Sequence, residues 1–263
     1  MMRMKQFFKA YWKTLLFFAA VGLAGGYFTG LYLLDSYPAE LRSQLVAELN
    51  ALGVSQISAD VLLGLITALQ SAGYGAILGA VGIFLARKIG LWKDERTITR
   101  RALIPTVAIS VAGGLFLILS DLLFFGRYSE AILDSYAAKP TVVYVLASVT
   151  YGAVIEEVML RLFWMSLVAF ILFKLFGRGQ ERPAAWMFVV SNVICALLFA
   201  AGHLPATFLL LGNSPLIIFR CFLLNGLFGL LFGWLYRKFG LRYAMLAHGG
   251  CHIVSKLIWF LFV

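Results

Sequence analysis

Seven stretches of this chain are apolar over long runs: 14–34, 61–86, 102–125, 141–173, 184–203, 215–236 and 243–262. A bilayer core offers no water to backbone N–H and C=O groups, so a crossing segment must satisfy them within a helix or a closed barrel. These runs show no period-two alternation, and each reaches the ~20 residues that a helix needs to cross a ~30 Å core. The composition agrees, with 62% hydrophobic and only 13% charged residues, where a soluble domain carries roughly 25% charged. The expected fold is therefore an all-α, polytopic transmembrane helix bundle.

The fourth run bears on the number of spans. Its 33 residues would make a helix of roughly 50 Å against the ~30 Å core. It has to tilt, protrude or break, and a break near Leu162 would turn seven spans into eight.

Lys and Arg fix the expected orientation. Arg3, Lys5, Lys9 and Lys13 precede the first span, and Arg87, Lys88, Lys93, Arg96, Arg100 and Arg101 follow the second. Lys174, Arg178 and Arg182 follow the fourth, and Arg237, Lys238 and Arg242 the sixth. The alternate loops are nearly free of cations, which places the N-terminus in the cytoplasm and the C-terminus outside. The formal charge of +10 is thus a membrane-topology signal, and no nucleic-acid partner is expected. The basic N-terminus leads into an apolar run with no small-residue cleavage pattern and reads as a retained signal anchor. Such a protein belongs in the cell membrane of a bacterium or the endoplasmic reticulum of a eukaryote.

Residues 1–140 read as three N-terminal transmembrane helices, with an outer 35–60 segment forming a short amphipathic helix or loop. Residues 141–263 read as the functional core. Gly22, Gly25, Gly26 and Gly30 in the first span and Gly75, Gly79 and Gly82 in the second form small-residue faces for close helix packing. Gly226, Gly229 and Gly233 do the same in the sixth span. The three cysteines, Cys195, Cys221 and Cys251, sit in apolar segments without metal-type spacing and are expected as buried free thiols.

Chemistry gathers in the core. Glu156, Glu157 and Arg161 interrupt the fourth run, and charge at membrane depth marks a site by default. Glu157 and Arg161, four apart with the acid first, fit an ion pair. Glu156 points elsewhere, lacks a local partner and suits general-base work. All three histidines lie in apolar context: His203 four residues after Phe199, and His248 four before His252. Asn225 is placed to add an interhelical hydrogen bond. Arg220 reads as structural or substrate-facing, and Lys256 as a cation snorkelling to the outer surface.

In order, Glu156-Glu157-x-x-x-Arg161, Phe199-x-x-x-His203, the Gly-rich helix and His248 with a polar residue four on resemble the CPBP family of intramembrane endopeptidases. That family includes the CAAX prenyl-endopeptidases and the bacteriocin-processing and immunity proteins. The resemblance covers roughly 145–260 and implies a membrane-embedded hydrolase of peptide bonds in a membrane-associated, in some cases lipidated, peptide or protein. It implies that Glu156 and His203 activate water and that His248 and the residue at 252 stabilise the oxyanion. Glu157, Arg161, Phe199 and Asn225 would support the site. The family carries Asn or Asp where this chain has His252, and a neutral imidazole can still donate one hydrogen bond. No cofactor is expected. As an alternative, Glu156, His203, His248 and His252 also resemble a ligand set for zinc or another divalent metal. Rival functions are a non-proteolytic immunity or chaperone-like binding protein and a proton-coupled transporter.

Overall fold

The computed structural model describes residues 4–53, 56–94 and 97–263. Arg3 and Arg96, counted above among the cytoplasmic cations, lie outside the described residues. The helices are α1 (Met4–Ser36), α2 (Ala39–Ala51), α3 (Ala59–Lys88), α4 (Arg100–Leu123), α5 (Glu130–Asp134), α6 (Val142–Phe176), α7 (Ala185–Leu211), α8 (Pro215–Phe239) and α9 (Leu241–Phe262). Among the described residues there is no strand, and seven helices, all but α2 and α5, are long and apolar enough to cross a membrane. The chain is a multi-pass membrane protein, and the 35–60 segment supplies α2.

The break that would have made an eighth span does not occur. α6 is continuous, and its length is taken up by local winding, because Ser148–Glu156 and Val158–Met165 adopt π-helical geometry. Each π turn holds more residues than an α turn, so the same residues cover less membrane. A local cause is visible: the hydroxyls of Ser148 and Thr150 donate to the carbonyls of Tyr144 and Leu146, at 2.7 and 2.5 Å. Those are the acceptors an α ladder would use, and hydroxyls bonding back to them loosen it.

The predicted end of the fifth span also moves. The apolar run stops at His203, whereas α7 continues through Pro205 to Leu211. Pro205 withholds an N–H from the Ala201 carbonyl, a cost that neighbouring polar groups commonly offset in membrane helices.

Lipid tails are as apolar as leucine, so the bundle interior is held by close backbone approach and polar pairing more than by hydrophobic burial. α1 shows the first of these. A Cβ on Gly30 would meet Gly64 Cα of α3 at 2.6 Å, and one on Gly25 would meet the Tyr151 backbone N of α6 at 2.7 Å. The glycines therefore seat α1 in the groove between α3 and α6. Tyr11, Leu15 and Phe18 of α1 join Ile83 and Ala86 of α3, Val158 and Leu162 of α6, Phe232 of α8 and Ala247 of α9 in one buried cluster. Gly229 packs on Ala196 of α7 as its spacing predicts, while Gly226 faces open space. The three cysteines are buried and free.

α8 and α9 are joined by Gly240 alone, at φ 109° and ψ 166°. This backbone conformation is essentially restricted to glycine. It reverses the chain at once, and so carries His248 and His252 back into the bundle beside α6.

Candidate active site

The two adjacent glutamates of α6 meet one histidine of α9 from opposite sides. Glu157 Oε1 lies 3.0 Å from His248 Nδ1, and Glu156 Oε2 lies 4.0 Å from His248 Nε2. Glu157 is fully buried, and the Glu156 side chain keeps 19% of its surface exposed. The burial difference separates their chemistry: Glu157 serves the interior and Glu156 faces accessible space. Glu156 and Glu157 thus diverge as helix geometry requires, but both end on His248.

Glu157 also pairs with Arg161 Nη1 at 3.1 Å, as the four-residue spacing predicts. The Nη1 atom is close without being aligned for a hydrogen bond, so the pairing is mainly coulombic. Arg161 sends Nη2 to the Gly229 carbonyl of α8 at 3.1 Å, and its guanidinium lies over the Phe199 ring, 4.7 Å from the centroid. One arginine thereby touches α6, α7 and α8. A buried charge needs this surrounding, since removing one partner of such a pair typically costs 3–5 kcal/mol.

His248 is clamped as well. Its ring stacks on Phe232 at 4.7 Å, meets Phe199 edge-on at 5.8 Å and lies 4.9 Å from the His252 ring. His252 Nε2 is 3.3 Å from where a Cβ on Gly152 would stand, and Glu156 Oε2 is 3.9 Å from the same point. Gly152, one helical turn before Glu156, thus leaves room for both polar groups. The small residue four before the glutamate was a readable signal, and sequence reasoning passed over it.

His203 stands apart from this group. Its Nδ1 bonds the Phe199 carbonyl at 2.8 Å, and its ring meets the Phe199 ring edge-on at 4.8 Å. A carbonyl only accepts, so Nδ1 carries the proton and Nε2 offers a lone pair. Among the described residues His203 forms no hydrogen bond or ion pair with Glu156, His248 or His252. Nor do any three His, Cys, Asp or Glu side chains gather as a group able to hold a metal ion.

Of three other residues, Asn225 and Lys256 differ from their sequence reading, while Arg220 takes the structural one of its two readings. Asn225 donates to the Cys221 carbonyl of its own helix at 2.9 Å, not to a neighbouring one. Arg220 is bound through Nε and Nη2 to Asp121 of α4, the Nε contact being 2.6 Å. Lys256, expected at the outer surface, is 5% exposed. Its Nζ lies 3.3 Å from His252 Nδ1 and 4.1 Å from the Tyr144 ring centroid. Its signal was its place four residues after His252, on the stripe that already held His248.

The fold is thus a multi-pass helical membrane protein with a polar site where α6, α7, α8 and α9 meet. Residues 138–254 match the family described as type II CAAX prenyl endopeptidase Rce1-like. This is the CAAX-protease family that the glutamate, arginine and histidine motifs resemble, and every candidate site residue lies within the matched stretch. No curated protein and no solved structure matches the chain.

Proposed function

We propose that the protein is an intramembrane endopeptidase that hydrolyses a peptide bond in a membrane-associated peptide or protein, with Glu156 as general base. The observation that carries this reading is His248 held between Glu157 and Glu156, on Nδ1 and Nε2 respectively. The 4.0 Å gap between Glu156 Oε2 and His248 Nε2 admits a substrate water bonded to both, since two hydrogen bonds of ordinary length close on it at roughly a right angle.

In the reaction, Glu156 takes a proton from this water and the nascent hydroxide attacks the peptide carbonyl. His203 assists through its unprotonated Nε2 as the substrate and water fill the space between them. The negative charge developing on the carbonyl oxygen is met by an N–H donor from His252, a term worth about 10²–10³ in kcat in hydrolases of this logic, while His248, whose Nδ1–H is given to Glu157, presents its accepting Nε2 to the water. The C–N bond then breaks, and Glu156 returns its proton to the leaving amine. Glu157 and Arg161 hold His248 in register. The family match supports a substrate with a C-terminal CAAX sequence and a prenyl group, held in the bilayer by its lipid.

The test is cleavage of a fluorogenic peptide ending in a farnesylated CAAX sequence, beside the same peptide without lipid, by purified protein in detergent. Cleavage of the first, lost in Glu156→Gln and accompanied by less than stoichiometric metal on elemental analysis, is the expected result. Glu156→Gln as active as wild type would overturn the glutamate role, and about one zinc per chain lost together with activity on chelation would replace it with metal chemistry.

A further inference from the structure

The chain departs from its family's pattern at His252, and the departure creates a problem that an Asn or Asp would not. An imidazole has two nitrogens and, when neutral, only one proton. Left to itself it exchanges between two tautomers, and it donates from Nε2 in every molecule only if something fixes that form.

The structure supplies a selector. Lys256 lies one turn further along α9, with Nζ 3.3 Å from His252 Nδ1. An ammonium has three donors and no acceptor, so the nitrogen facing it must accept. That leaves the proton on Nε2, the nitrogen beside Gly152 that shares with Glu156 Oε2 the neighbourhood of one point on α6. The ammonium is held in place by a cation–π contact with Tyr144 at 4.1 Å, and Tyr144 is itself stacked on Tyr32 of α1 at 4.4 Å. Among the described residues Lys256 pairs with no carboxylate. The rest of its surroundings are apolar, a groove of about 330 Å³ lined by Val142, Val145, Leu146, Ile253, Leu257 and Phe260. Among the described residues His252 is thus the one hydrogen-bonding partner of this lysine.

We propose that Lys256 is a positioning residue: it donates to His252 Nδ1, fixes the imidazole as the Nε2–H tautomer and so aims a single N–H donor into the site beside Glu156. The pair would stand where the family pattern carries Asn or Asp, with the proton position on the imidazole set here by a second side chain. This rests on the peptide-hydrolase reading for its effect on rate, though not for the tautomer.

Two measurements separate the two levels. The first uses protein labelled with ¹⁵N-histidine in detergent micelles, where the chain's three histidines give few signals and His252→Asn assigns the one of interest. Nδ1 of His252 is expected as an unprotonated nitrogen and Nε2 as a protonated one, with the Nδ1–H form appearing beside it in Lys256→Met and not in Lys256→Arg. A proton on Nδ1 in the wild type, or a tautomer unchanged in Lys256→Met, overturns the proposal whether or not the protein cleaves anything. The second is a double-substitution cycle on the farnesylated peptide. Lys256→Met should lower kcat on the order of 10-fold with KM unchanged, since the loss of a donor acts only as charge develops. Lys256→Arg should restore most of it. In a His252→Asn background Lys256→Met should change nothing further, because an amide needs no tautomer chosen. An equal loss in both backgrounds would make Lys256 a packing residue, or one that acts on substrate directly, and would sink the proposal.

Discussion

At the scale of single residues, the site depends on side chains that act through one another. Glu157 is the clearest case, because it holds His248 Nδ1 at 3.0 Å and Arg161 at 3.1 Å while fully buried. Glu157→Gln leaves the Arg161 charge uncompensated and His248 without its anionic partner. Thermal unfolding in detergent should show a loss of about 3–5 kcal/mol, and peptide cleavage should fall with it. The double variant Glu157→Gln/Arg161→Met separates the effects, because removing both charges restores most of the stability and none of the activity. Full activity in that variant would mean that Glu157 does not position His248. The Glu157–Arg161 pair was legible in the sequence because spacing on one helix settles it. The Glu157–His248 bond was not, because it joins residues 91 positions apart and depends on how α6 and α9 face each other. Lys256 was misread for a related reason: its place near the chain's end suggested a surface, and the aromatic face of Tyr144 together with the His252 ring nitrogen makes an interior position tolerable.

At the scale of helices, periodicity and length found seven spans, and glycine spacing found the faces that pack. The π-helical winding of α6 lay beyond them, since no simple pattern of apolar residues distinguishes it from an α-helix. A second polar cluster ties other elements together. Arg220 of α8 grips Asp121 of α4, and Tyr136, in the segment after α5, donates its hydroxyl to Asp121 at 2.8 Å. Burial first, and the Asp121 carboxylate second, push the Tyr136 hydroxyl far above the ordinary tyrosine range. The folded state therefore favours the protonated phenol. Its contribution is complete below the unfolded value of ~10 and is lost as pH rises toward the higher folded value. Unfolding followed between pH 8 and 11 should show stability falling at the alkaline end, and falling less steeply in Tyr136→Phe. Asp121→Asn should destabilise at every pH by stranding Arg220, so a variant as stable as wild type would show that α4 and α8 are held by packing alone.

At the scale of the whole molecule, the basic residues sort themselves by end. Arg87 at the close of α3 pairs with Asp94 and bonds the Tyr11 hydroxyl near the start of α1. A Cβ on Gly240, between α8 and α9, would meet Lys93 at 3.2 Å, and Arg242 donates to the Thr97 carbonyl at 2.8 Å. The start of α1, the end of α3, the junction of α8 and α9 and the approach to α4 thus share one basic end. With seven spans the termini fall on opposite faces. The positive-inside rule predicts that this end faces the cytoplasm, which would place His248, about 10 Å along α9 from it at ~1.5 Å per residue, in the cytoplasmic third of the bilayer. α6 and α7 reach the same site from much further along their own length, which their extension or tilt past the start of α9 must absorb. Reporter fusions should place the N-terminus in the cytoplasm and the C-terminus outside. A thiol reagent that cannot cross membranes should label a cysteine placed at Lys93 only from the cytoplasmic side, and one placed at Lys139 only from the other. The reverse pattern would put the site against the outer leaflet, and substrates modified on the cytoplasmic face would then have to reach it through the bilayer.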